Sequence, residues 1–395
     1  MNTWLGLGSV FVLLLVAFVV ARWPAKRLSG AYPASSMVFI AILFTSGLDV
    51  GLIMFPLTEF PIYANHQDNP EYRFTNPIAI AFGFWGFLVW AIYFLTCFYF
   101  CAIEPKVRFF EKKWVNLLNS LVVIGTCAFT GYLLLSNLSW YLPGLAQSTN
   151  ASLYFAAIVG FCIVVAVYSS TELKYVKLLS VSSSSLFMLL IAGMAMFGWL
   201  QPQVDASHFA ASFAQIGGYF ANIEQFVLPI NDYHAFYLAW WFAWSIMIGQ
   251  FSARFVGNMP TWKMLAHMLV WPSLSIGLWF CVLYVYFQQG IAVAGTINVV
   301  MVIVGVVFVI NSLDSLLRLY VDNLQLTPTR LGKKRYFLLH SATLAVLVAL
   351  FNLDFLQIEW IGAFVIAVML YCTGYVIVRL RAAQQLSSSN STSVE

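Results

Sequence analysis

The sequence predicts an all-α polytopic membrane protein of about eleven transmembrane helices, on three observations. Of its 395 residues 62% are apolar and only 9% are charged, whereas a soluble domain carries roughly 25% charged residues to cover its surface. Apolar runs long enough to cross a bilayer of about 30 Å recur from one end to the other, and the mean hydropathy is +0.85. The basic residues then fall almost entirely into alternate links between those runs.

The runs lie at about 4–21, 35–56, 77–102, 115–138, 152–170, 178–199, 234–256, 264–287, 293–318, 336–352 and 358–378, and are numbered here as segments 1 to 11. Segment 1 has no basic stretch before it and no small-residue cleavage site after it, so it reads as a retained helix rather than a signal peptide. With its link it makes a peripheral unit over 1–33. Segment 2 is interrupted by Gly47 and Gly51 and is followed by Pro56. Segments 3 to 6 complete a first group over 34–200. The stretch 201–233 has no Lys or Arg and is moderately apolar, as expected of an external connecting helix lying on the bundle. Segments 7 to 11 form a second group over 234–381. The Ser-rich residues 382–395 read as a disordered cytoplasmic tail.

Eighteen of the 19 basic residues follow segments 1, 3, 5, 7, 9 and 11, and only Arg73 falls on the other side. The basic-poor side carries Asp68, Glu71, Asp205, Glu224, Asp232, Asp354 and Glu359. Positive charge stays inside, so the N-terminus is expected outside and the C-terminus in the cytoplasm of a cell (inner) membrane. Adding or removing one span would scramble this alternation. The net charge of +4 therefore reports topology and gives no sign of a nucleic-acid partner. The six cysteines lie in or at the edges of apolar runs without a CxxC pair, and the five histidines are scattered. Neither a metal centre, a nucleophile–base constellation nor a P-loop can be assembled, which argues against an enzyme or an ATP-driven pump.

Carboxylates inside a membrane are costly and usually mark a pathway or a site. Glu59 reads as an interfacial residue at the outer end of segment 2, and Asp314 as one half of an i,i+4 ion pair with Arg318. Asp49 is different. It sits mid-span in Thr45-Ser46-Gly47-Leu48-Asp49-Val50-Gly51, where a glycine-interrupted helix frees backbone carbonyls for an ion or solute. The alternative is a close helix crossing through small residues.

Segment 7 reads Phe236-Tyr237-Leu238-Ala239-Trp240-Trp241-Phe242-Ala243-Trp244-Ser245. At about 100° per residue, Phe236, Trp240 and Trp244 share a face. Segment 3 adds Trp85, Trp90 and Tyr93. Tryptophans at membrane interfaces are routine, yet this density also suits an aromatic cage for a quaternary ammonium, whose charge is attracted to ring faces and can donate no hydrogen bond.

At these residues the chain resembles the betaine/carnitine/choline transporter family. FYLAWWFAWSIMIGQFSAR (Phe236 to Arg254) is similar to the family's FYWAWWxxWSPFVGxFxAR. SGLDVGLIMFPLTEF in segment 2 is similar to AGxGxGLMFxGxxEP, WGFLVWAIY in segment 3 to WGLHxWAIY, and FVINSLDSLLRLYVDNL in segment 9 to FFVTSADSGxxVxDxL. The motifs stand in family order, with similarity from about residue 8 to 380.

The resemblance implies a leucine-transporter-like fold, a ten-helix core of two inverted five-helix repeats formed by segments 2–6 and 7–11. The family usually has one more span at the start. Ile246 stands where the family has proline, Asn311-Ser312 stands for Thr-Ser, and the usual basic run after segment 7 is replaced by Gly257-Asn258-Met259-Pro260.

Carried over by position, Trp85, Trp90, Tyr93 and Trp241 would form the central cage. Phe236, Trp240 and Trp244 would form a second aromatic station on the cytoplasmic exit path. A sodium site would use carbonyls of Thr45, Leu48 and Phe308 with side-chain oxygens of Asn311 and Ser312. Asp49, where the family has glycine, would favour a net-cationic solute or bind the coupling ion. The implied function is Na+- or H+-coupled symport of a small solute such as glycine betaine, choline or carnitine, with no cofactor beyond the ion, in a possible homotrimer. The alternatives are a ligand-binding sensor on the same fold or an exchanger without ion coupling.

Overall fold

The computed structural model describes residues 2–48 and 50–391. Among them, nine helices are long and apolar enough to cross a membrane: Asn2–Arg22, Pro77–Ala102, Lys113–Tyr141, Ala151–Ser169, Lys174–Trp199, Thr261–Gln288, Thr296–Leu324, Lys333–Asn352 and Ile358–Arg379. Segment 7, Asp232–Ala253, is a continuous helix of 22 residues, about 33 Å at 1.5 Å per residue. Segment 2 is split into Ser36–Gly47 and Val50–Ala64. Large apolar side chains such as Leu14, Leu189 and Val378 stand about two-thirds exposed on the outer helices, as lipid-facing surfaces require. The chain is a multi-pass, all-α membrane protein.

Two interruptions shape the interior. Leu48 is extended (φ −130°, ψ 160°) after the first half of segment 2, which leaves backbone groups at mid-span without helical partners. The second half does not stop at Pro56, where the sequence placed its end, but continues to Ala64. Proline removes the N–H that would bond to the carbonyl four residues back. That carbonyl, on Leu52, instead accepts the indole N–H of Trp279 at 2.9 Å, so the helix survives. Segment 3 is likewise divided at Gly86, into Pro77–Trp85 and Phe87–Ala102. Beside that interruption the Phe84 carbonyl accepts the Trp241 indole N–H at 2.8 Å.

The packing follows what two repeats related by a two-fold axis would give. The first helix of each half, in segments 2 and 7, lies on the fifth of its own half, in segments 6 and 11. The third helices, segments 4 and 9, pack on each other, and each also packs on the fourth helix of the other half. Five spans per half mean that the second half enters the membrane from the opposite side. Segment 1 lies outside this core against segments 3, 7 and 11. Its link is tied to the link after segment 7 by an antiparallel pair, Arg27 opposite Pro260 and Leu28 opposite Met259. The Gly30 N–H continues the contact to the Val256 carbonyl at 2.8 Å. A Cβ on Gly30 would lie 2.1 Å from the Ala253 carbonyl oxygen, so glycine is required there.

Between the halves, helices Ala206–Gln215 and Gly217–Ala221 rest on segments 3 and 8. Asp205 caps the first of them, accepting from the Ser207 and His208 N–H groups. The final helix is drawn to Ser391, past Arg381, where the sequence reading starts a disordered tail. Ala382 to Leu386 contain no Gly or Pro to end it.

Candidate functional site

The helix interruptions bring the aromatic residues of segments 2, 3 and 7 together. Trp85 and Trp241 meet edge to face with centroids 4.9 Å apart, and Trp240 stacks on Trp241 at 4.6 Å and 19°. Trp240 also lies 5.4 Å from Trp85. Phe55, from the second half of segment 2, closes the group at 6.4 Å from Trp85 and 6.2 Å from Trp240. All four side chains are buried. The Trp241 bond to the Phe84 carbonyl fixes its ring, whereas the indole N–H groups of Trp85, Trp240 and Trp244 are buried with no acceptor.

Trp90 and Tyr93 form a second pair, 5.6 Å apart and edge to face. They lie against the break itself, since a Cβ on Gly47 would come within 3.1 Å of Trp90 and 3.2 Å of Tyr93. The Trp90 N–H is buried and unpartnered as well. The four residues expected to form one cage thus stand as two pairs on either side of Gly86, with Trp240 added to the first.

The second station is not separate. Trp240 is 6.0 Å from Phe236 and 5.9 Å from Trp244, but its other contacts place it in the Trp85–Trp241 group. Adjacent indoles on one helix are wide enough to touch, which the wheel projection ignores. Phe236 lies one turn from the Asp232 end of its helix, the end away from the basic links.

The residues expected to hold an ion are partly assembled. The Ser312 hydroxyl donates to the Leu48 carbonyl at 2.8 Å and reaches that of Thr45 at 3.4 Å. Segment 9 thereby meets the opened end of segment 2. Thr45, Asn311, Ser312 and Phe308 are all fully buried. The Asn311 side-chain oxygen instead accepts from Ser180 of segment 6 at 3.3 Å, and its amide N–H₂ has no partner. Phe308 packs its ring on Phe44 and Phe187 at 6.1 and 5.6 Å. This oxygen set suits a sodium ion in kind, with Asn311 turned toward Ser180. Asp49 lies outside the described residues.

Two further carboxylates are placed differently from each other. Asp314 is fully buried and holds Arg318 through two bonds of 2.9 Å, while Ser169 donates to it at 2.6 Å. Arg318 is thus a buried partner inside helix Thr296–Leu324, and not a link residue. Glu59 is not left exposed at a helix end. Because segment 2 continues past Pro56, Glu59 is carried into the bundle at 1% exposure. There it accepts from the hydroxyls of Tyr233 and Tyr237 at 2.5 Å each.

Sequence reasoning missed Phe55, Tyr237, Ser180 and this environment of Glu59. Tyr237 had a signal, standing four residues before Trp241 on the same helix face. Phe55 and Ser180 had none.

No family model matches the chain. The glycine betaine transporter OpuD of Bacillus subtilis is 26% identical over 283 residues, 62% of this chain and 54% of that protein. Glycine betaine transporter 1 of Vibrio parahaemolyticus is 22% identical over 319 residues, 70% of this chain and 59% of that protein. An uncharacterized transporter of Mycobacterium tuberculosis is 20% identical over 343 residues, 70% and 54% of the two chains. The chain spans little more than half the length of these relatives. Among solved structures, a substrate-bound, outward-open Na+-coupled sialic acid symporter matches 93% of this chain and 82% of its own at 13% identity. Its TM-score of 0.45 is too low to add to the fold. The chain is thus similar, at low identity, to proteins named as glycine betaine transporters.

Proposed function

We propose that this chain is an ion-coupled secondary transporter of a small quaternary-ammonium solute, of the class of glycine betaine, choline or carnitine, working by alternating access. The observation that carries this reading is the joined box of Trp85, Trp240 and Trp241 beside the interruption of segment 3 at Gly86, with the indole N–H groups of Trp85 and Trp240 left unpartnered. Ring faces attract a cation that cannot donate a hydrogen bond, at about 1–2 kcal/mol per desolvated face. A buried donor without an acceptor costs about 1–3 kcal/mol. A solute that pairs a quaternary ammonium with a carboxylate or hydroxyl answers both demands.

Coupling follows from the meeting of segments 2 and 9. A Na+ held by the Thr45 and Leu48 carbonyls and the Ser312 hydroxyl favours the state in which those segments touch. An ion drives a conformational change only through such differential affinity. Asp49, next to Leu48 in the chain, would favour a net-cationic solute or bind the coupling ion itself. The turn of Asn311 toward Ser180 supports a second reading, exchange without ion coupling. In either case the protein works in the cytoplasmic membrane, N-terminus outside.

Titration of the purified protein by tryptophan fluorescence tests the box. Choline is compared with 3,3-dimethylbutanol, its uncharged isostere. The expected result is at least about tenfold weaker binding of the isostere. Equal binding of the two would overturn the reading.

A further inference from the structure

Glu59 is a buried acidic group that neither the aromatic box nor the Ser312 meeting point uses, and unlike Asp314 it has no basic partner. Both bonds from Tyr233 and Tyr237 go to one carboxylate oxygen, and the other, Oε2, is buried with no partner. The groups facing it supply no positive charge. On its own helix Tyr63 stands one turn on. The following link brings Tyr72 and Glu71, both bonded by the Asn231 amide at 2.8 and 2.7 Å. Segment 4 ends nearby at Tyr141, whose hydroxyl is itself buried and unpartnered, while the Tyr63 hydroxyl lies close enough to Glu59 to interact with it. Segment 7 contributes Tyr233, His234 and Tyr237. His234 stacks on Phe84 at 4.4 Å and accepts the Ile230 N–H on Nδ1. Segment 8 presents Tyr284, which packs on Phe60, and segment 9 has no titratable side chain from Thr296 to Leu313. Arg73, the lone Lys or Arg at this end, gives its guanidinium to the His66 carbonyl.

A carboxylate out of water and without a counter-charge is strongly unfavourable, so this oxygen calls for a cation. Tyr63–Tyr72, Phe84–Tyr237, Tyr233–Tyr237 and Tyr63–Phe84 are in ordinary ring contact at 5.0, 5.1, 5.4 and 5.7 Å, so packed rings enclose the carboxylate. There is also a route in. Tyr233 is 36% exposed while Glu59, Tyr63 and Tyr237 are at most 1% exposed, so one tyrosine separates the carboxylate from the surface. Inward, Tyr237 bonds Glu59 through its hydroxyl and packs its ring on Trp85 at 5.6 Å and Trp240 at 5.7 Å.

We propose that the Glu59 carboxylate, under its tyrosine cover, binds a small monovalent cation, a proton or Na+, and that Tyr237 links occupancy of this site to the tryptophan box. The coupling part rests on the transport reading; the binding part does not. When the Tyr233 cover moves aside the carboxylate exchanges its cation with water. When it closes the cation is trapped beside the solute.

The test uses the full chain in proteoliposomes and measures the cation without solute. Radioactive sodium binding at fixed pH is one arm, and proton uptake read with a pH-sensitive dye in Na+-free potassium buffer is the other. Wild type is expected to bind a cation in one arm, with Glu59→Gln reduced at least about tenfold in that arm, as loss of a buried charge partner implies. Tyr233→Phe and Tyr237→Phe keep the carboxylate and guard against a Glu59 variant that fails to fold. Each is expected to change cation affinity severalfold with an unchanged melting profile. Wild-type cation binding in all three variants, or no cation bound by wild type in either arm, overturns the proposal. Failure of wild type to bind any quaternary-ammonium solute, with the cation still bound at Glu59, overturns the transport reading instead.

Discussion

The hydroxyl of Ser312 donates to the carbonyl of Leu48 at 2.8 Å, across 264 residues of sequence. It joins the third helix of the second half to the interrupted first helix of the first. A Na+ seated among the Thr45 and Leu48 carbonyl oxygens and the Ser312 hydroxyl oxygen, with the hydroxyl proton turned away, would join the same two elements.

Ser312→Ala together with Asn311→Ala is expected to abolish stimulation of solute uptake by Na+ while leaving solute binding detectable. Uptake measured against Na+ concentration at constant ionic strength checks this. An unchanged Na+ dependence would remove the carried-over ion site.

Trp241→Leu is expected to weaken solute binding about five- to thirtyfold, the equivalent of 1–2 kcal/mol for a desolvated cation–π face. Trp140→Leu, on a ring that is 48% exposed, is expected to change it less than about twofold by the same principle. Equal losses in the two titrations would return the tryptophans to an interfacial role.

Segment 11 approaches segment 7 closely at Gly362, where a Cβ would lie 2.3 Å from the Ala239 carbonyl oxygen and 2.8 Å from its Cα. Backbone cannot step aside as a side chain can, so Gly362→Ala should cost about 1–3 kcal/mol. At Gly193, with nothing within 4 Å, the same change is neutral or stabilising. Melting curves in detergent compare the two, and equal Tm values would contradict the close approach.

Asp314 and Arg318 should show the asymmetry of a buried pair. Asp314→Asn or Arg318→Met alone is expected to cost about 3–5 kcal/mol, because each leaves the other charge uncompensated. The double variant should cost less than either. Thermal denaturation of all four proteins measures this coupling, and additive losses would show that the pair does not act as a unit.

Apolar length and the alternation of Lys and Arg made the spans legible, because crossing a bilayer constrains composition more tightly than folding in water does. The density of tryptophan in segments 3 and 7 marked the aromatic residues. Their grouping was not legible, since it depends on how Gly86 bends segment 3 and on how far one indole reaches toward another. Glu59 was misplaced for a specific reason. Pro56 reads as a helix end unless something accepts the role of its missing N–H, and the Trp279 indole that does so lies 223 residues away in the chain. Asn311 shows the same limit, since a side chain expected to face an ion turns to Ser180 of a neighbouring helix.

Uptake of radiolabelled glycine betaine, choline and carnitine into proteoliposomes, under separately imposed inward Na+ and H+ gradients, tests transport itself. At least one of the three solutes is expected to accumulate above its external concentration under one gradient, and to leak back when an ionophore collapses that gradient. Equilibration without accumulation under both gradients, or no entry of any of the three, would contradict an ion-coupled transporter of quaternary-ammonium solutes.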